Sequence, residues 1–134
     1  MFVFTWNPDW ETGEPIIDMQ HKRMVMQLEL LSIALSDGRQ DAETERTLLL
    51  LGDYIEYHFK AEELLMERYH YPDLLRHHAA HKELQSQVSS LVESYQRNPR
   101  ATPPQVAEFL LSWMKSHFTT EDKEMAAFVK TVVP

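Results

Sequence analysis

Histidine and carboxylate side chains recur in this sequence at spacings that suit metal binding. His58 is followed by Glu62 after four residues, and His77 is followed by His81 after four residues. Side chains four residues apart lie on the same face of a helix and can bind one ion together. The chain has seven histidines among 134 residues, so further imidazoles are available to the same site.

Polar residues also interrupt the apolar stripes of four predicted helices, in which apolar side chains recur at steps of three and four residues. The interrupting residues are His21, His58, Glu62, His77, His81 and His117. Burying such groups without partners costs roughly 2–7 kcal/mol each, and more for a carboxylate. A lone histidine on an apolar face is more often a hydrogen-bonded core residue, but contributions from four helices favour a metal site. His70 and His78 fall off the stripes, which predicts surface or loop positions for both.

The elements that must position these residues form a single all-α domain over residues 1–134. Residues 1–17 contain Pro8, Pro15 and several aromatic residues, including Phe2 and Phe4, and predict an extended arm. Helices are predicted over 18–37, 41–69, 73–97 and 102–119, with a short final helix over 121–129 inside a C-terminal segment of residues 121–134. The connections are short, so consecutive helices must be antiparallel neighbours. The sequence therefore predicts an up-down-up-down four-helix bundle over 18–120.

Composition excludes several classes of function. The net charge of −8 argues against a nucleic-acid partner, because phosphate binding depends on Lys and Arg. The absence of cysteine removes disulfides, thiolate metal sites and cysteine nucleophiles, and three glycines leave no Gly-rich phosphate loop. No secretory leader and no stretch of about 18 apolar residues is found. We therefore expect a cytoplasmic protein that does not insert into a membrane.

The number of candidate ligands favours a dinuclear centre, since one ion cannot use five imidazoles and a carboxylate. If both ions were octahedral, five histidines, two bridging carboxylates and a shared oxygen would leave a single coordination position open. One ion would then be closed, and the other could accept an external ligand. The second carboxylate is expected shortly after His117, where Glu121, Asp122 and Glu124 are the candidates.

Motifs along nearly the whole chain resemble those of the hemerythrin family, and most closely its single-domain bacterial members. Behind an N-terminal arm that contains tryptophan, the motifs are IIDMQH ending at His21, HFKAEE starting at His58, HHAAH ending at His81, and WMKSH ending at His117 with Asp122 beyond it. Each motif alone is weak, whereas the ordered set is highly specific.

The resemblance implies a non-haem di-iron centre with an oxo or hydroxo bridge, at which O₂ binds reversibly to one iron. The implied ligands are His77, His81 and His117 on the closed iron, His21 and His58 on the open iron, and Glu62 and Asp122 as bridges. Imidazole and carboxylate also suit zinc, copper and manganese, so the choice of iron rests on the resemblance alone. The implied function is oxygen storage, delivery or sensing, without catalysis.

Helical geometry makes Asp122 an awkward partner for His117. A step of five residues in a regular α-helix turns about 500°, which places Asp122 roughly 140° away from the face of His117. The implied bridging role of Asp122 therefore predicts a helix end, a break or a π-type turn around Thr119 and Thr120.

An apolar wall is expected around the ligands, where it would limit the access of water. Its predicted members are Val25, Leu28, Ile55, Phe59, Leu84 and Trp113. For Trp113, plain core packing and a role in orienting His117 are equally compatible with the sequence.

Two other functions compete with reversible O₂ binding. A di-iron oxidase or peroxidase would consume the bound oxygen, and such enzymes use E-x-x-H motifs, of which the chain has one, from Glu67 to His70. A metal buffer or structural module would use the ions only to hold the bundle together. We expect a monomer that delivers oxygen by transient docking to an oxygen-consuming enzyme.

Overall fold

A computed structural model describes residues 5–38 and 41–133. Five α-helices follow a short 3₁₀ turn at Pro8–Trp10, and a second 3₁₀ turn, Pro99–Ala101, precedes the fourth helix. The α-helices are α1 Pro15–Ser36, α2 Ala42–Arg68, α3 Leu74–Arg97, α4 Gln105–His117 and α5 Lys123–Val132. Phe2 and Phe4 of the predicted arm lie outside the described residues. The predicted all-α four-helix bundle is confirmed, with α1 to α4 as its helices.

The first helix begins at Pro15, three residues before the predicted start. Proline is compatible with the first turn of a helix because the backbone N–H that it lacks has no partner there. Glu14 precedes the helix, and its side chain accepts a hydrogen bond from the backbone N–H of Ile17. At the other end, Gly38 follows α1 with a φ of 69°, the left-handed conformation that commonly ends helices.

The four bundle helices pack as antiparallel neighbours around one apolar core. Helix α1 contacts α2 and α4, α2 contacts α3, and α3 contacts α4 more lightly. The largest fully buried apolar side chains include Leu28, Leu51, Leu84, Leu110 and Met114, with members from each bundle helix. None of the helices in the described ranges is long and apolar enough to cross a membrane.

The N-terminal arm folds back on the bundle through its aromatic residues. Trp10 is buried, and its ring meets that of Trp6 edge-on at 5.4 Å. Trp6 in turn lies 6.3 Å from the ring of Phe118. Asp18 anchors the arm, because its Oδ1 accepts hydrogen bonds from the backbone N–H and the hydroxyl of Thr12, both at 2.8 Å. The arm therefore covers one side of the bundle.

The fourth helix does not end near Thr119 but continues through a π-helical segment into α5. This π segment, Phe118–Asp122, joins α4 to α5 without an intervening loop. Met125, Ala126 and Val129 of α5 are buried. Met125 and Val129 pack in a second apolar cluster with Ile17 and Met66. The predicted final helix is present, and it extends to Val132.

Candidate metal centre

Seven potential ligands meet in the middle of the bundle, and every bundle helix contributes at least one. One ligand atom from each member of two overlapping groups lies within 4.8 Å of the others. All seven side chains are at most 2% exposed. The first group contains Glu62, His77, His81, His117 and Asp122, and the second contains His21, His58, Glu62 and Asp122. The structure thus brings together all the residues that the resemblance implied as ligands.

The two carboxylates lie at the centre of this cluster, with one oxygen of each directed to either half. Asp122 Oδ1 is 2.9 Å from His77 Nε2 and 3.1 Å from His117 Nε2, whereas Asp122 Oδ2 is 3.0 Å from His21 Nε2. The arrangement suits a carboxylate shared between two ions.

The two carboxylate oxygens of Glu62 also face different halves of the cluster. Its Oε1 is 3.0 Å from His81 Nε2 and 3.6 Å from His77 Nε2. Its Oε2 is 3.3 Å from His58 Nε2 and 3.7 Å from His21 Nε2. Three imidazoles consequently surround one half of the cluster and two imidazoles surround the other half, with both carboxylates between them.

The π segment explains how His117 and Asp122 reach the same site. Its i→i+5 hydrogen bonding widens the helix locally, so a five-residue step stays on one face. Two hydroxyls of the segment donate to carbonyls of the preceding turn: Thr119 to that of Lys115 at 2.8 Å, and Thr120 to that of Ser116 at 2.6 Å. Of the helix end, break or π-type turn predicted around Thr119 and Thr120, the structure contains the π-type turn.

Two histidines of the cluster have hydrogen-bond acceptors behind their rings. Gln20 Oε1 lies 2.6 Å from His58 Nδ1, and Glu63 Oε2 lies 2.8 Å from His81 Nδ1. An amide oxygen or a carboxylate accepts a hydrogen bond from Nδ1–H, which directs Nε2 of each ring into the cluster. Both rings are therefore held in the orientation that a metal ligand needs.

Aromatic rings stack on the imidazoles and exclude water from the cluster. Phe118 stacks on His21, and Phe59 stacks on His81, each at 3.8 Å between ring centroids. Trp113 is only half-buried and stacks on His117 at 4.8 Å, so it contacts a candidate ligand directly. The other predicted wall residues are fully inside the core: Val25, Leu28, Ile55, Phe59 and Leu84.

The charges of the cluster support one another in the absence of metal. Burial lowers the pKa of His21 and His77, but the carboxylates of Asp122 and Glu62 outweigh this and raise it to about 9 in both. Burial also lowers the pKa of His117, but the nearby carboxylates, Asp122 above all, outweigh it and raise this pKa to about 10. Burial raises the pKa of Glu62 and Asp122, yet the surrounding imidazoles hold both well below the ordinary carboxyl range.

Buried polar atoms without hydrogen-bond partners indicate that this cluster fits metal ions. In the described part of the chain, such atoms include His21 Nε2, His58 Nε2, His77 Nε2 and all four oxygens of Glu62 and Asp122. These atoms are close to oppositely charged members of the cluster but make no hydrogen bond, and ions coordinated by them would satisfy them in one place. Nitrogen and oxygen donors of this type suit iron, and the side chains present fit a pair of ions.

Sequence reasoning missed three residues of the surroundings: Gln20, which accepts from His58, Glu63 and Phe118. Glu63 lies about 100° around the helix from Glu62, and only the packing of α2 on α3 brings it to His81. Phe118 follows His117 directly and reaches His21 because of the π segment. His70, in contrast, is exposed as predicted. His78 remains 43% exposed at its side chain, on the surface where it was expected.

A four-helix bundle with a buried cluster of five histidines and two carboxylates defines a class of helical metal-binding proteins, and comparison with known proteins identifies the family. The family model described as Hemerythrin HHE cation binding domain matches residues 12–129. The chain belongs to the hemerythrin family, whose members bind oxygen at a non-haem di-iron centre.

Curated relatives and solved structures agree with this assignment. A bacteriohemerythrin of Pseudomonas paraeruginosa is 31% identical over 122 residues, covering 91% of this chain and 78% of the relative. A bacteriohemerythrin of Methylococcus capsulatus is 27% identical over 124 residues, covering 92% of this chain and 94% of the relative. A crystal structure of wild-type hemerythrin has a TM-score of 0.88 with 25% identity, covering 96% of this chain and 98% of that one.

Proposed function

We propose that this protein binds dioxygen reversibly at a di-iron centre held by the seven clustered residues, and that it serves oxygen storage, delivery or sensing. His77, His81 and His117 would hold one iron, and His21 and His58 the other. Glu62 and Asp122 would bridge the two. The main observation in favour of this proposal is the position of the carboxylates. One oxygen of each carboxylate faces the group of three imidazoles, and the other oxygen faces the group of two.

This unequal division is what gives the centre a position for a ligand. If two octahedral ions shared both carboxylates and one further oxygen, the three imidazoles would complete one ion, whereas the two imidazoles would leave one position of the other ion for a ligand. An iron pair held by these residues would supply the reversible two-electron chemistry that dioxygen binding needs. We place the open position on the side of His21 and His58.

The protein side chains would orient the ligands and keep the site dry. Gln20 and Glu63 fix the rings of His58 and His81 by accepting hydrogen bonds from their Nδ1–H groups. Phe118, stacked on His21, covers the half with two imidazoles. An apolar shell of this kind restricts solvent access, which protects a reversibly oxygenated iron pair from irreversible oxidation.

Reversible binding is favoured over oxygen consumption by the position of the E-x-x-H sequence. Glu67 and His70 are both exposed and do not belong to the cluster. The ligand set is rich in histidine, unlike that of carboxylate-rich di-iron enzymes, which use two E-x-x-H motifs. We therefore propose a binding protein rather than an enzyme.

We further propose that the chain works in the cytoplasm as a monomer and that delivery proceeds by transient docking to an oxygen-consuming enzyme. Sedimentation across a range of protein concentrations tests the monomer, and a rise in mass with concentration would refute it. Fractionation of cells that produce the protein tests its location.

Optical titration tests the oxygen-binding proposal. The protein is loaded with two ferrous ions under anaerobic conditions and then exposed to air. We expect absorption bands that appear with oxygen and disappear when oxygen is removed, through repeated cycles. Rapid irreversible oxidation with release of hydrogen peroxide or turnover of a substrate would support an enzyme instead. Two bound irons without any oxygen-dependent spectrum would leave a metal buffer.

A further inference from the structure

Glu63 connects the buried cluster to the protein surface. Its Oε1 lies 2.6 Å from Nδ1 of His78, and its Oε2 lies 2.8 Å from Nδ1 of His81. The side chain of His81 is fully buried, that of Glu63 is 23% exposed and that of His78 is 43% exposed. One carboxylate therefore joins a histidine of the metal cluster to a histidine that reaches solvent.

The helical register makes this double contact possible. His78 and His81 are three residues apart, so their side chains are neighbours along the surface of α3. Helix α2 packs against α3 and places Glu63 beside both rings. Partial burial raises the pKa of the Glu63 carboxyl, but the hydrogen bonds from the two rings outweigh this effect, and the net result is a lowered pKa.

The protons in this contact have defined positions. An ionised carboxylate has only acceptors, so His78 and His81 each donate their Nδ1 proton to Glu63. Nε2 of His81 then faces the cluster, where it lies 3.0 Å from Glu62 Oε1 and 3.1 Å from His117 Nε2. Because one carboxylate oxygen is held by each ring, His78 restricts the rotation of the group that orients His81.

We propose that His78 and Glu63 form a positioning pair, through which a surface histidine outside the ligand set controls how tightly the buried centre retains metal. This inference rests on the proposed function, in which His81 is a ligand. Glu63 acts by fixing the tautomer and the plane of the His81 ring. His78 acts by fixing Glu63, and neither residue touches the metal.

The expected effects form a graded series. Glu63→Ala removes the acceptor of His81 and should weaken metal binding by about 10–100-fold, as substitutions behind metal ligands usually do. Glu63→Gln keeps one acceptor oxygen, which can serve only one of the two rings, and should cause a smaller loss. His78→Ala leaves the carboxylate in place but frees it to rotate, and should weaken binding by a few-fold.

Competition for Co²⁺ against a chromophoric chelator measures these affinities. The set comprises the natural chain, the three single variants and the double variant Glu63→Ala/His78→Ala. His70→Asn is the matched control, because His70 is also exposed but outside the cluster, and asparagine tolerates its φ of 55°. We expect the double variant to bind Co²⁺ as weakly as Glu63→Ala alone, since His78 acts only through Glu63.

Two results of the titration would overturn the inference. One is additive losses in the double variant, which would mean that the two residues act separately. The other is a His78→Ala variant that binds Co²⁺ as tightly as His70→Asn does. Helical circular dichroism of each metal-free variant checks folding, and Glu63→Gln continues the test if Glu63→Ala does not fold.

The ring nitrogens of His81 give a second readout that needs no metal. Two-bond ¹H–¹⁵N correlation spectra of the metal-free protein distinguish the two imidazole tautomers. We expect Nδ1 of His81 to carry a proton in the natural chain, and to lose it wholly or in part in Glu63→Ala. A natural chain in which Nδ1 of His81 carries no proton would refute the inference even if metal binds. Failure of the natural chain to bind Co²⁺ would refute the proposed function while this readout still tests the positioning pair.

Discussion

Adjacent histidines on α3 have different surroundings, although their residue type is the same. His77 is 2% exposed and lies 2.9 Å from Asp122, whereas His78 is directed to Glu63 near the surface. The step of one residue turns the side chain by about 100°, and that rotation separates a cluster residue from an outer one. Position on the helix, not chemistry alone, decides which imidazoles can reach a metal ion.

Replacing these two residues by alanine should therefore give different metal contents. We expect His77→Ala to lose at least one of two bound irons, because an imidazole of the cluster is removed from a buried position. At saturating ferrous ion His78→Ala should keep both irons, with only its affinity reduced. Iron analysis after gel filtration in the presence of ferrous ion measures the content. Equal loss in the two variants would contradict the assignment of His77 to the cluster.

The pKa values of the metal-free cluster predict that metal binding releases protons. His21 and His77 have a pKa of about 9 and His117 of about 10, so at pH 7 all three are imidazolium cations with both ring nitrogens protonated. Metal can bind only the deprotonated rings. Adding Zn²⁺ or Co²⁺ in weak buffer at pH 7 should release about three protons per chain, measured with a pH indicator. Binding without proton release would contradict these values.

The same shifts give the metal-free protein an optimum of stability in mildly acidic solution. Raised histidine pKa values stabilise the fold fully below about 6.5, the value in the unfolded chain, and this contribution is lost as pH rises through 9 to 10. Lowered carboxyl pKa values stabilise above about 4.5 and are lost as pH falls. Urea unfolding of the metal-free chain should have its highest midpoint between these limits. A midpoint that rises steadily from pH 6.5 to 10 would be inconsistent with this balance.

At the level of elements, the π segment gives the fourth helix its role in the site. Its extra residue brings Asp122 to the same face of the helix as His117. Helix α5 still has the orientation that buries Met125 and Val129. The segment therefore satisfies the cluster and the second apolar core together. Its location beside the candidate centre agrees with the general association of π-bulges with functional sites.

Changing the length of the π segment by one residue should have opposite outcomes for deletion and insertion. Deleting Thr120 leaves a four-residue step from His117 to the aspartate, which a regular α-helix keeps on one face with α5 in register. Inserting alanine after Thr120 rotates the aspartate and the buried face of α5 by about 100°. We expect the deletion to retain metal, and the insertion to lose it and about 2–5 kcal/mol of stability. Metal content and urea unfolding measure both, and equal damage would contradict the register argument.

The extent to which sequence predicted structure varied with the kind of element. Apolar steps of three and four residues predicted the helices and also marked His58 and His81, because a polar residue stands out within an apolar stripe. Pro15 was misjudged as an interruption, since the same residue is also compatible with a helix start. Glu63 could not be recognised, because its contact with His81 depends on how α2 is packed and rotated against α3. The pattern of residues along one helix can be recognised in the sequence, whereas a contact between two helices can be recognised only once the fold is known.

For the whole molecule, folding without metal requires burying seven polar side chains together in the centre of the bundle, and the free-energy cost of that burial falls there. All four helices contribute to the cluster, and several of its buried polar atoms have no hydrogen-bond partner among the described residues. The cluster is assembled only in the folded chain, so metal bound to it would add directly to stability.

Removing metal should therefore lower the melting temperature substantially. Binding one ion at a free concentration about 1,000 times its Kd stabilises the fold by about 4 kcal/mol. For a chain of this size we expect a fall of about 10 °C or more on treatment with a chelator, measured by calorimetry. The His77→Ala variant, with a damaged cluster, should show a smaller difference. A melting temperature that does not respond to metal would mean that the cluster is not a binding site.

His21 and Asp122 lie 3.0 Å apart in space although most of the chain separates them in sequence. Ions held between them would act as a reversible cross-link across two distant parts of one polypeptide. A chain cut in the connection 98–104, between α3 and α4, would then remain associated while metal is bound, because the shorter piece still carries His117 and Asp122. A chelator would release that piece, so the two fragments could be taken apart and rejoined by controlling metal alone.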